Sequence, residues 1–331
     1  MDSQIDITCI NETAKSIICR VLNCSAADIK NMQELSGGNT NSSFVFEVFG
    51  VRYVYRQPGM LTENFIDRRA EQFACEQASL LGVGEEILYI DGTGIKISKF
   101  IEQIKEFDLL CTSDIKAGAA LLRQLHAACI DASFDFDHLK QIENMKACMD
   151  LPAQNGWKNL PNVHAVEAMV QQLDVHVKND NWPRCLIHGD PKGPNILVSK
   201  DRYTLIDWEY AGVKDIGYDI SHYAAEIGRA RTGGHWKLDP EDAAWYFEKL
   251  PTAEQYRHVL ACFAIEEYYW TLWAIQKNRP DIVRRCYDNA SRYVKIAKAM
   301  YDEVQTHGSP QMGLMGLQKD EVQTHGSPKW D

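Results

Sequence analysis

Cysteine pairs at metal-binding or redox spacing are missing from this sequence of 331 residues. It contains ten cysteines, but no two of them form a C-x-x-C pair. Most of them stand in apolar segments with helical spacing, such as Cys75, Cys129 and Cys262. We therefore expect small buried side chains in a reducing compartment, and neither a zinc site nor a framework of disulfides.

Long apolar runs and an excess of basic residues are missing as well. No run approaches the roughly 18 apolar residues of a membrane-spanning helix, and the acidic start MDSQIDITCINE lacks the basic-then-apolar pattern of a secretion signal. The formal net charge of -11 argues against a general nucleic-acid binder. We expect a cytoplasmic protein with a small-molecule substrate, no nucleic-acid partner and no membrane span, and the oligomeric state stays open.

The chain is long enough for two lobes around one cleft, and its first hundred residues mix helices with antiparallel strands. Helical spacing of apolar residues predicts a helix over 8–23. FVFEV and RYVYR, separated by a turn at Phe49-Gly50, predict a β-hairpin, and EILYID with IKISKFI predicts a second one. Between the hairpins, residues 63–81 form an amphipathic helix pattern that ends at Gly82.

The composition changes near Glu102, and helical patterns dominate after it. KAGAALLRQLHAAC at 116–129 is the clearest helix, LIHGD, NILVS and TLIDWEY are short extended runs, and helices return from about Asp239 to Met300. The fold class we predict is α+β and bilobal. A small antiparallel-sheet lobe would take residues 1–101, and a large, mainly helical lobe would take residues 102–301.

The end of the chain contains a short duplication. DEVQTHGSP occurs at Asp302–Pro310 and again at Asp320–Pro328. The repeated unit is too short for a solenoid and occurs only twice, and Gly, Ser, Pro and polar residues dominate around it. We predict that residues 302–331 are a flexible tail outside the fold.

The segment LIHGDPKGPNIL has the spacing H-x-D-x-x-x-x-N, formed by His188, Asp190 and Asn195. A further carboxylate, Asp207, follows the short strand pattern RYTLI. Protein kinases use this arrangement: the first Asp positions and deprotonates the attacking hydroxyl, while the Asn and the second Asp hold Mg²⁺ on the phosphates of ATP. We predict these roles here and expect His188 to orient the loop through hydrogen bonds. The alternative, an ordinary turn followed by a strand-end cap, is disfavoured by the full set of spacings.

A nucleotide site is expected in the first lobe. A Gly/Asn/Ser loop could turn its N–H groups to phosphate, but it lacks G-x-G-x-x-G and could equally be a hairpin turn. Arg56 could grip phosphate and pair with Glu71 on the next helix, as a Lys–Glu pair does in protein kinases. Adenine would meet the backbone of Ile97–Ile101, where the lobes join. The predicted nucleotide-binding residues are Gly37, Gly38, Asn39, Thr40, Asn41, Arg56, Glu71, Ser98 and Phe100.

An aromatic helix near the end of the chain predicts a site for a cation. In EEYYWTLW, the side chains of Glu266, Trp270 and Trp273 share one helical face. A quaternary ammonium has no N–H group to donate, so it is bound by aromatic faces with a carboxylate nearby. The competing interpretation is that both tryptophans belong to the core.

These segments together resemble the choline kinases, in particular the bacterial LicA type, within the aminoglycoside-phosphotransferase branch of the protein-kinase-like fold. The resemblance runs from about residue 10 to 300 and rests on LSGGNTNSSFVFEV, RYVYRQPG, GIKISKFIE, HGDPKGPNIL, LIDWEYAG and YYWTLWAIQ. It implies a protein-kinase-like fold and phosphorylation of choline with ATP and Mg²⁺.

The resemblance also implies roles for single residues. Asp190 would be the catalytic base, Asn195 and Asp207 the metal ligands, and Arg56 with Glu71 the phosphate clamp. The substrate-binding residues that it implies are Glu209, Tyr210, Glu226, Trp270 and Trp273.

One part of the substrate site departs from the pattern. Eukaryotic choline kinases have a further aromatic residue shortly after the position of Glu226. This chain has IGRARTGGHW there, so the aromatic is either missing or replaced by Trp236.

Other functions stay open beside choline phosphorylation. The enzyme could act on ethanolamine, thiamine or an aminoglycoside, although a polyamine needs several carboxylates and the Trp-rich helix favours choline. A ligand-sensing pseudokinase would be expected to lack Asp190, Asn195 or Asp207, and all three are present. Only the duplicated tail favours a structural or interaction protein.

Overall fold

The structure, a computed structural model, describes residues 12–35, 41–59, 66–132, 138–149 and 159–307. Its α-helices are α1 (Glu12–Leu22), α2 (Arg68–Leu80), α3 (Thr112–Ala127), α4 (His138–Met149), α5 (Val163–Asn179), α6 (Gly217–Arg231), α7 (Pro240–Phe247), α8 (Ala253–Gln276) and α9 (Pro280–His307). Its strands are β1 (Lys30–Leu35), β2 (Asn41–Val48), β3 (Val51–Pro58), β4 (Ile87–Ile90), β5 (Lys96–Lys99), β6 (Gln103–Lys105), β7 (Arg184–Ile187), β8 (Ile196–Ser199), β9 (Tyr203–Leu205) and β10 (Gly212–Asp215).

A five-stranded antiparallel sheet forms the first lobe, in the order β1-β2-β3-β5-β4. The predicted hairpin of β2 and β3 is confirmed, and its turn residues Phe49 and Gly50 have φ angles of 52° and 79°. Positive φ at both central residues is the signature of a type I′ turn, which matches the twist of the two strands. The second predicted hairpin, β4 with β5, is also confirmed. Arg56 of β3 stands opposite Lys96 of β5, so two cations lie side by side on this sheet.

Helix α2 begins later than the apolar pattern predicts. The predicted start near residue 63 is wrong, because Asp67 caps the helix directly before Arg68. One carboxylate oxygen of Asp67 accepts hydrogen bonds from the N–H groups of Arg69 at 3.0 Å and Ala70 at 3.2 Å. These N–H groups have no partner inside the helix, so the cap fixes where the helix begins.

The chain passes from the sheet into the second lobe within a few residues. Strand β5 ends at Lys99, and Gln103 of β6 already pairs with Ser199 of β8 in a separate sheet of order β6-β8-β9. The predicted division at residues 101–102 falls between these two strands. A two-stranded sheet of β7 and β10 completes the strands of the second lobe.

A shared apolar core joins the two lobes. Cys75 and Ala78 of α2 pack in one cluster with Leu122 of α3 and with Trp208. The Leu205 N–H also donates to the Val83 carbonyl at 2.8 Å. Helix α2 therefore rests on the core of the second lobe as well as beside the sheet of the first lobe.

Helix α8 forms the centre of the second lobe. It is buried along nearly its whole length and packs against α4, α5, α6 and α9. The predicted helices of this region are confirmed, but α6, β6 and β10 were not predicted. Helix α6 is buried without interruption from Gly217 to Gly228, and its polar residues Asp219, His222 and Glu226, which have helical spacing, are enclosed with the rest. It therefore lacks the solvent-facing polar side of an ordinary surface helix.

The cysteines only partly follow the expectation. Eight of them lie in the described part of the chain and are free, and Cys75, Cys185, Cys262 and Cys286 are buried. Cys129 is exposed, so the expectation of a buried side chain is wrong there. It lies past the end of α3, where the chain turns away with a φ angle of 47°. Among the described helices, none combines the length and the apolar character needed to cross a membrane.

The last helix runs further than the predicted start of the tail. Helix α9 continues to His307, so Asp302–His307 of the first DEVQTHGSP copy is helical and the proposed tail begins too early. Lys298 pairs with Asp302 one turn later at 2.7 Å, which supports this extension. Residues 308–331, with the second copy, lie outside the described residues.

We expect the boundary of the folded unit to lie after Tyr301. The Tyr301 hydroxyl donates to Asp180, and its ring stacks on His176 with ring centres 4.4 Å apart. Tyr301→Phe should cost about 1.5–3 kcal/mol of unfolding free energy, because the hydrogen bond has a charged acceptor. A chain that ends at Met300 should lose more, whereas a chain that ends at His307 should melt like the full chain. Thermal unfolding of the three variants measures this, and a lower melting temperature for the chain ending at His307 would show that residues 308–331 dock on the fold.

Candidate active site

The segment after β7 forms a tight loop below the sheet of the first lobe. Gly189 has a φ angle of 83°, and a Cβ atom there would lie 2.2 Å from the carbonyl oxygen of Tyr210. Both the positive φ and the close approach require glycine. This glycine lets the chain turn sharply between His188 and Asp190.

Asp219 of α6 fixes the backbone of this loop. Its two carboxylate oxygens accept the His188 N–H at 2.9 Å and the Gly189 N–H at 2.8 Å. His126 of α3 adds a bond from Nε2 at 3.0 Å. Burial alone would raise the pKa of Asp219, but the hydrogen bond from His126 helps to keep this pKa below its usual value. Asp219 was missed from the sequence, where its only signal is a carboxylate at the start of the mixed stretch DISHYAAEIG.

His188 orients the loop with both ring nitrogens. Its Nε2 lies 2.9 Å from the Ile206 carbonyl and must donate, while Nδ1 lies 3.2 Å from the Asp190 N–H and must accept. The ring packs on Trp208, with centres 4.6 Å apart. Burial lowers the pKa of His188, in agreement with a neutral ring. These contacts match the orienting role that we expect for His188.

Asp190 is buried and hydrogen-bonded at both carboxylate oxygens. Oδ2 accepts from Lys192 Nζ at 2.5 Å and from Asn195 Nδ2 at 3.1 Å. Oδ1 lies 3.3 Å from Nε2 of His222. Burial alone would raise the pKa of Asp190, but the charge of Lys192 and the bond from His222 move it far below its usual value. Asp190 is therefore ionised at neutral pH. Lys192 and His222 were missed from the sequence, although Lys192 stands inside the motif itself.

Asn195 and Asp207 come together beside this carboxylate. The Ile206 N–H donates to the Asn195 carbonyl at 3.0 Å, which ties the two segments to each other. Asp207 has a φ angle of 67°, an unusual conformation for a non-glycine residue that often marks a functional site. Burial and the charge of Asp190 raise the pKa of Asp207, although Arg56, 4.0 Å away, lowers it.

This arrangement fits a divalent cation. The amide nitrogen of Asn195 is used in bonds to Asp190, so its amide carbonyl oxygen is the atom that could bind a metal. Carboxylate and amide oxygens are the ligands that Mg²⁺ prefers. A cation would also relieve the repulsion between the two carboxylates, Asp190 and Asp207.

A buried chain of charges lies on the other side of the cleft. Arg56 Nη1 lies 2.5 Å from Glu71 Oε1, so the structure brings this predicted pair together. Arg68 Nη1 lies 2.6 Å from Glu71 Oε2 and 3.9 Å from Glu209 Oε2, and Asn41 donates to the same oxygen of Glu209 at 2.9 Å. Burial opposes ionisation of Glu71, but the charge of Arg56 keeps the pKa of Glu71 below its usual value. Arg68 was not predicted from the sequence.

Lys96 adds another cation to this side of the cleft. It is buried, it is opposite Arg56 in the sheet, and Nζ pairs with Glu85. Burial alone would lower its pKa, but the charge of Glu85 raises this pKa above the usual value. Lys96 was not predicted, because a lysine on a strand is usually solvated.

The other predicted nucleotide residues divide into two groups. Gly37, Gly38, Asn39 and Thr40 lie outside the described residues. Ser98 is buried on β5, and Phe100 follows it where the lobes join. The Phe100 N–H donates to the Arg52 carbonyl at 3.0 Å, and the Arg52 guanidinium lies 3.8 Å above the Phe100 ring.

The predicted aromatic residues form a cluster around Trp270. The ring of Trp270 has T-shaped contacts with Tyr210 at 4.9 Å, Tyr269 at 5.1 Å and Trp273 at 5.7 Å between centres. Trp270 is partly exposed, while Tyr210 and Trp273 are buried. The Trp270 Nε1 donates to Glu266 at 3.3 Å, as expected for residues on one helical face. The cluster is thus partly core and partly accessible.

Glu226 and Trp236 are tied to arginines of this chain. Glu226 pairs with Arg229 at 2.7 Å. Burial alone would lower the pKa of Lys192, but the charge of Asp190, with a smaller contribution from Glu226, raises it. The guanidinium groups of Arg229 and Arg285 lie 5.5 Å and 4.8 Å from the ring centre of Trp236. Since arginines already engage Trp236, we favour a missing aromatic over a replacement by this residue.

The sequence is related to a family of phosphotransferases. Residues 113–261 match the model of the phosphotransferase enzyme family. Protein LicA of Haemophilus influenzae is 25% identical over 214 residues. This match covers 61% of the chain but only 60% of LicA.

Solved structures share the fold at low sequence identity. The choline kinase LicA of Streptococcus pneumoniae aligns with a TM-score of 0.69 and 19% identity, over 86% of this chain and 98% of the other. An ethanolamine kinase of Plasmodium vivax aligns with a TM-score of 0.64 and 16% identity, over 83% of this chain and 84% of the other. The predicted α+β bilobal fold is therefore confirmed, and the match of residues 113–261 supports the predicted phosphotransferase class. Residues 113–261 thus resemble the phosphotransferase enzyme family, and the chain as a whole has a protein-kinase-like fold.

Proposed function

We propose that the protein transfers the γ-phosphoryl group of ATP to the hydroxyl of choline, which gives phosphocholine and ADP. The observation that carries this proposal is the aromatic cluster around Trp270 and its link to the catalytic carboxylate. Glu266 accepts from Trp270 at 3.3 Å and lies 2.9 Å from His222, which in turn lies 3.3 Å from Asp190. A site for a quaternary ammonium thus adjoins a carboxylate that can accept a hydrogen bond from the hydroxyl of the acceptor.

Asp190 would orient the acceptor hydroxyl and take its proton. Its low pKa makes it a weak base, but it stays ionised and accepts a hydrogen bond at neutral pH. Phosphoryl transfer passes through a loose transition state in which orientation matters more than early proton removal. A strongly ionised and rigidly held carboxylate suits this role.

Asn195 and Asp207 would hold Mg²⁺, which neutralises charge on the phosphates when it is bound. The repulsion between Asp190 and Asp207 supports this role, as does the positive φ of Asp207. Lys192 lies close to both carboxylates, and it would add positive charge near the phosphates of a bound nucleotide. Its charge acts on both Asp190 and Asp207.

The first lobe would bind the nucleotide. Arg56 and Lys96 are buried cations that could face phosphate, and Glu71 would hold Arg56 in place, with Arg68 as a second partner. The backbone near Ser98 and Phe100 would meet adenine. The loop of Gly37, Gly38, Asn39, Thr40 and Asn41 stays a prediction for the phosphates.

The acceptor site favours a quaternary ammonium. Tyr210, Trp270 and Trp273 offer aromatic faces and edges, and Glu266 and Glu226 supply negative charge nearby. Glu209 would contribute on the nucleotide side of the cleft, where it contacts Arg68 and accepts a hydrogen bond from Asn41. Ethanolamine is the second candidate, because Glu266 could accept an ammonium N–H and an ethanolamine kinase shares the fold. We also propose a cytoplasmic location. We further propose catalysis rather than a pseudokinase role, since Asp190, Asn195 and Asp207 are all present.

The first test removes the catalytic carboxylate. Asp190→Ala should lower kcat by about 10²–10⁴-fold, because orientation and general-base help are lost, while ATP affinity stays close to that of the wild type. Asp207→Ala should be nearly inactive at every Mg²⁺ concentration, and Asn195→Ala should need more Mg²⁺. Release of ADP with choline, ethanolamine, thiamine and an aminoglycoside as acceptors measures these effects. An Asp190→Ala enzyme with more than about a tenth of the wild-type kcat would exclude the role.

The second test separates a cation site from a core role of the tryptophans. Trp270→Ala and Trp273→Ala should raise the KM for choline by up to about thirtyfold, and Trp→Phe should lose less. Ethanolamine should be the poorer substrate, because Glu266 can accept from only part of its ammonium group and each N–H that faces an aromatic wall stays unsatisfied, at about 1–3 kcal/mol. Trp182→Ala is the matched control, since Trp182 stacks on His258 with centres 4.0 Å apart. If the folded Trp270 and Trp273 variants keep a normal choline KM and only melt earlier, both residues belong to the core.

A further inference from the structure

His222 of α6 lies between two carboxylates that belong to different elements. Its Nε2 is 3.3 Å from Asp190 Oδ1 in the catalytic loop, and its Nδ1 is 2.9 Å from Glu266 Oε1 on α8. The residue is 8% exposed and Glu266 is 3% exposed, so these contacts are shielded from solvent. Neither the sequence motif nor the proposed catalytic set includes His222.

The contacts of the ring define its chemical state. A carboxylate oxygen can only accept, so the ring must donate from both nitrogens to satisfy Asp190 and Glu266. This requires an imidazolium cation. The charges of the two carboxylates raise the pKa of His222 well above its usual value in spite of its burial, in agreement with that state.

His222 contacts the carboxylate oxygen of Asp190 that the residues of the catalytic loop do not contact. Oδ2 of Asp190 is held by Lys192 and Asn195, whereas His222 reaches Oδ1. The orientation of a carboxylate depends on both of its oxygens. His222 therefore limits rotation of the group that would face the acceptor hydroxyl.

The same residue connects that carboxylate with the aromatic cluster. Glu266 Oε1 accepts from His222 and from Trp270 Nε1, at 2.9 Å and 3.3 Å. The rings of His222 and Trp270 are 6.3 Å apart between centres. A path of three polar contacts, one ion pair and two hydrogen bonds, thus runs from Asp190 to the partly exposed ring of Trp270.

We propose that His222 is a positioning residue that orients the Asp190 carboxylate toward the acceptor hydroxyl and couples this orientation to the acceptor pocket through Glu266 and Trp270. The inference rests on the proposed function, because it needs an acceptor that binds near Trp270. His222 acts through Asp190 and Glu266.

A second buried histidine offers a matched control. His258 lies between Asp180, 2.8 Å from Nδ1, and Asp215, 3.1 Å from Nε2. This triad has the same chemistry as Asp190–His222–Glu266 but does not include a catalytic residue. The Sγ of Cys262 lies within 4.8 Å of the ligand atoms of Asp215 and His258, but the ring nitrogens are already engaged by the two aspartates.

The experiment compares His222→Gln with His258→Gln. His222→Gln should lower the kcat for phosphoryl transfer by about 10- to 100-fold, because a displaced catalytic group costs rate steeply. The acceptor KM should change less than kcat, and the Kd for ATP should stay within twofold of the wild-type value. His258→Gln should lower the melting temperature at least as much, yet keep kcat within twofold at a temperature where it is folded.

A double variant supplies the readout that a purely structural role would not give. In His222→Gln the amide carries its donors on the NH₂ group and its acceptor on the carbonyl oxygen, so an amide that spans both carboxylates turns its oxygen toward one of them. Glu266→Gln in the same chain supplies an N–H for that oxygen and still accepts from Trp270. The double variant should therefore regain about threefold or more of the kcat lost in His222→Gln, a coupling expected only for contacting residues.

The outcomes separate the inference from the proposed function. A His222→Gln enzyme with kcat within twofold of the wild type would overturn the inference, as would a double variant that is slower still. A parallel loss of ATP affinity would also overturn it, because His222 would then act on the fold or the nucleotide site. If the wild-type enzyme phosphorylates none of the four acceptors, the proposed function is wrong and the inference falls with it.

Discussion

The hydrogen bonds that two successive backbone N–H groups donate to Asp219 determine the geometry of the site. They hold His188 and Gly189 against α6, and Gly189 permits the turn that directs Asp190 into the cleft. His188 then ties the loop to the carbonyl of Ile206, directly before Asp207. The two reactive carboxylates are therefore aligned through backbone contacts, which do not depend on long flexible side chains.

Charge is balanced separately in each part of the cleft. Asp190 is compensated by Lys192 and His222, and Glu71 by two arginines. Asp207 has the weakest compensation, since Arg56 is 4.0 Å away and Asp190 repels it. Buried charges are costly without partners, so the residue with least compensation is the natural position for an added cation.

Sequence spacing predicted what a short segment can define by itself. His188, Asp190 and Asn195 lie within one loop, and both N-terminal hairpins have their own turn residues. Asp219, His222 and Lys96 were not predicted, because their neighbours are distant in sequence and come together only when α6, α8 and β5 pack. Helix α6 was missed as well, since its polar residues Asp219, His222 and Glu226 are buried in the fold and do not mark a solvent-facing side. Arg56 and Glu71 could be paired in advance only by analogy with the Lys–Glu pair of kinases.

The attachment of α2 to the core of the second lobe affects how the cleft can close. Cys75 and Ala78 bury their side chains beside Leu122, and the strand-like contact of Val83 with Leu205 is a backbone bond. Glu71 stands on this helix, which contacts both lobes, whereas Arg56 stands on a strand of the sheet. A rotation of the sheet relative to α2 would change the distance between Arg56 and Glu71. This buried ion pair would resist such a rotation, and it thereby connects the nucleotide side of the cleft with the acceptor side.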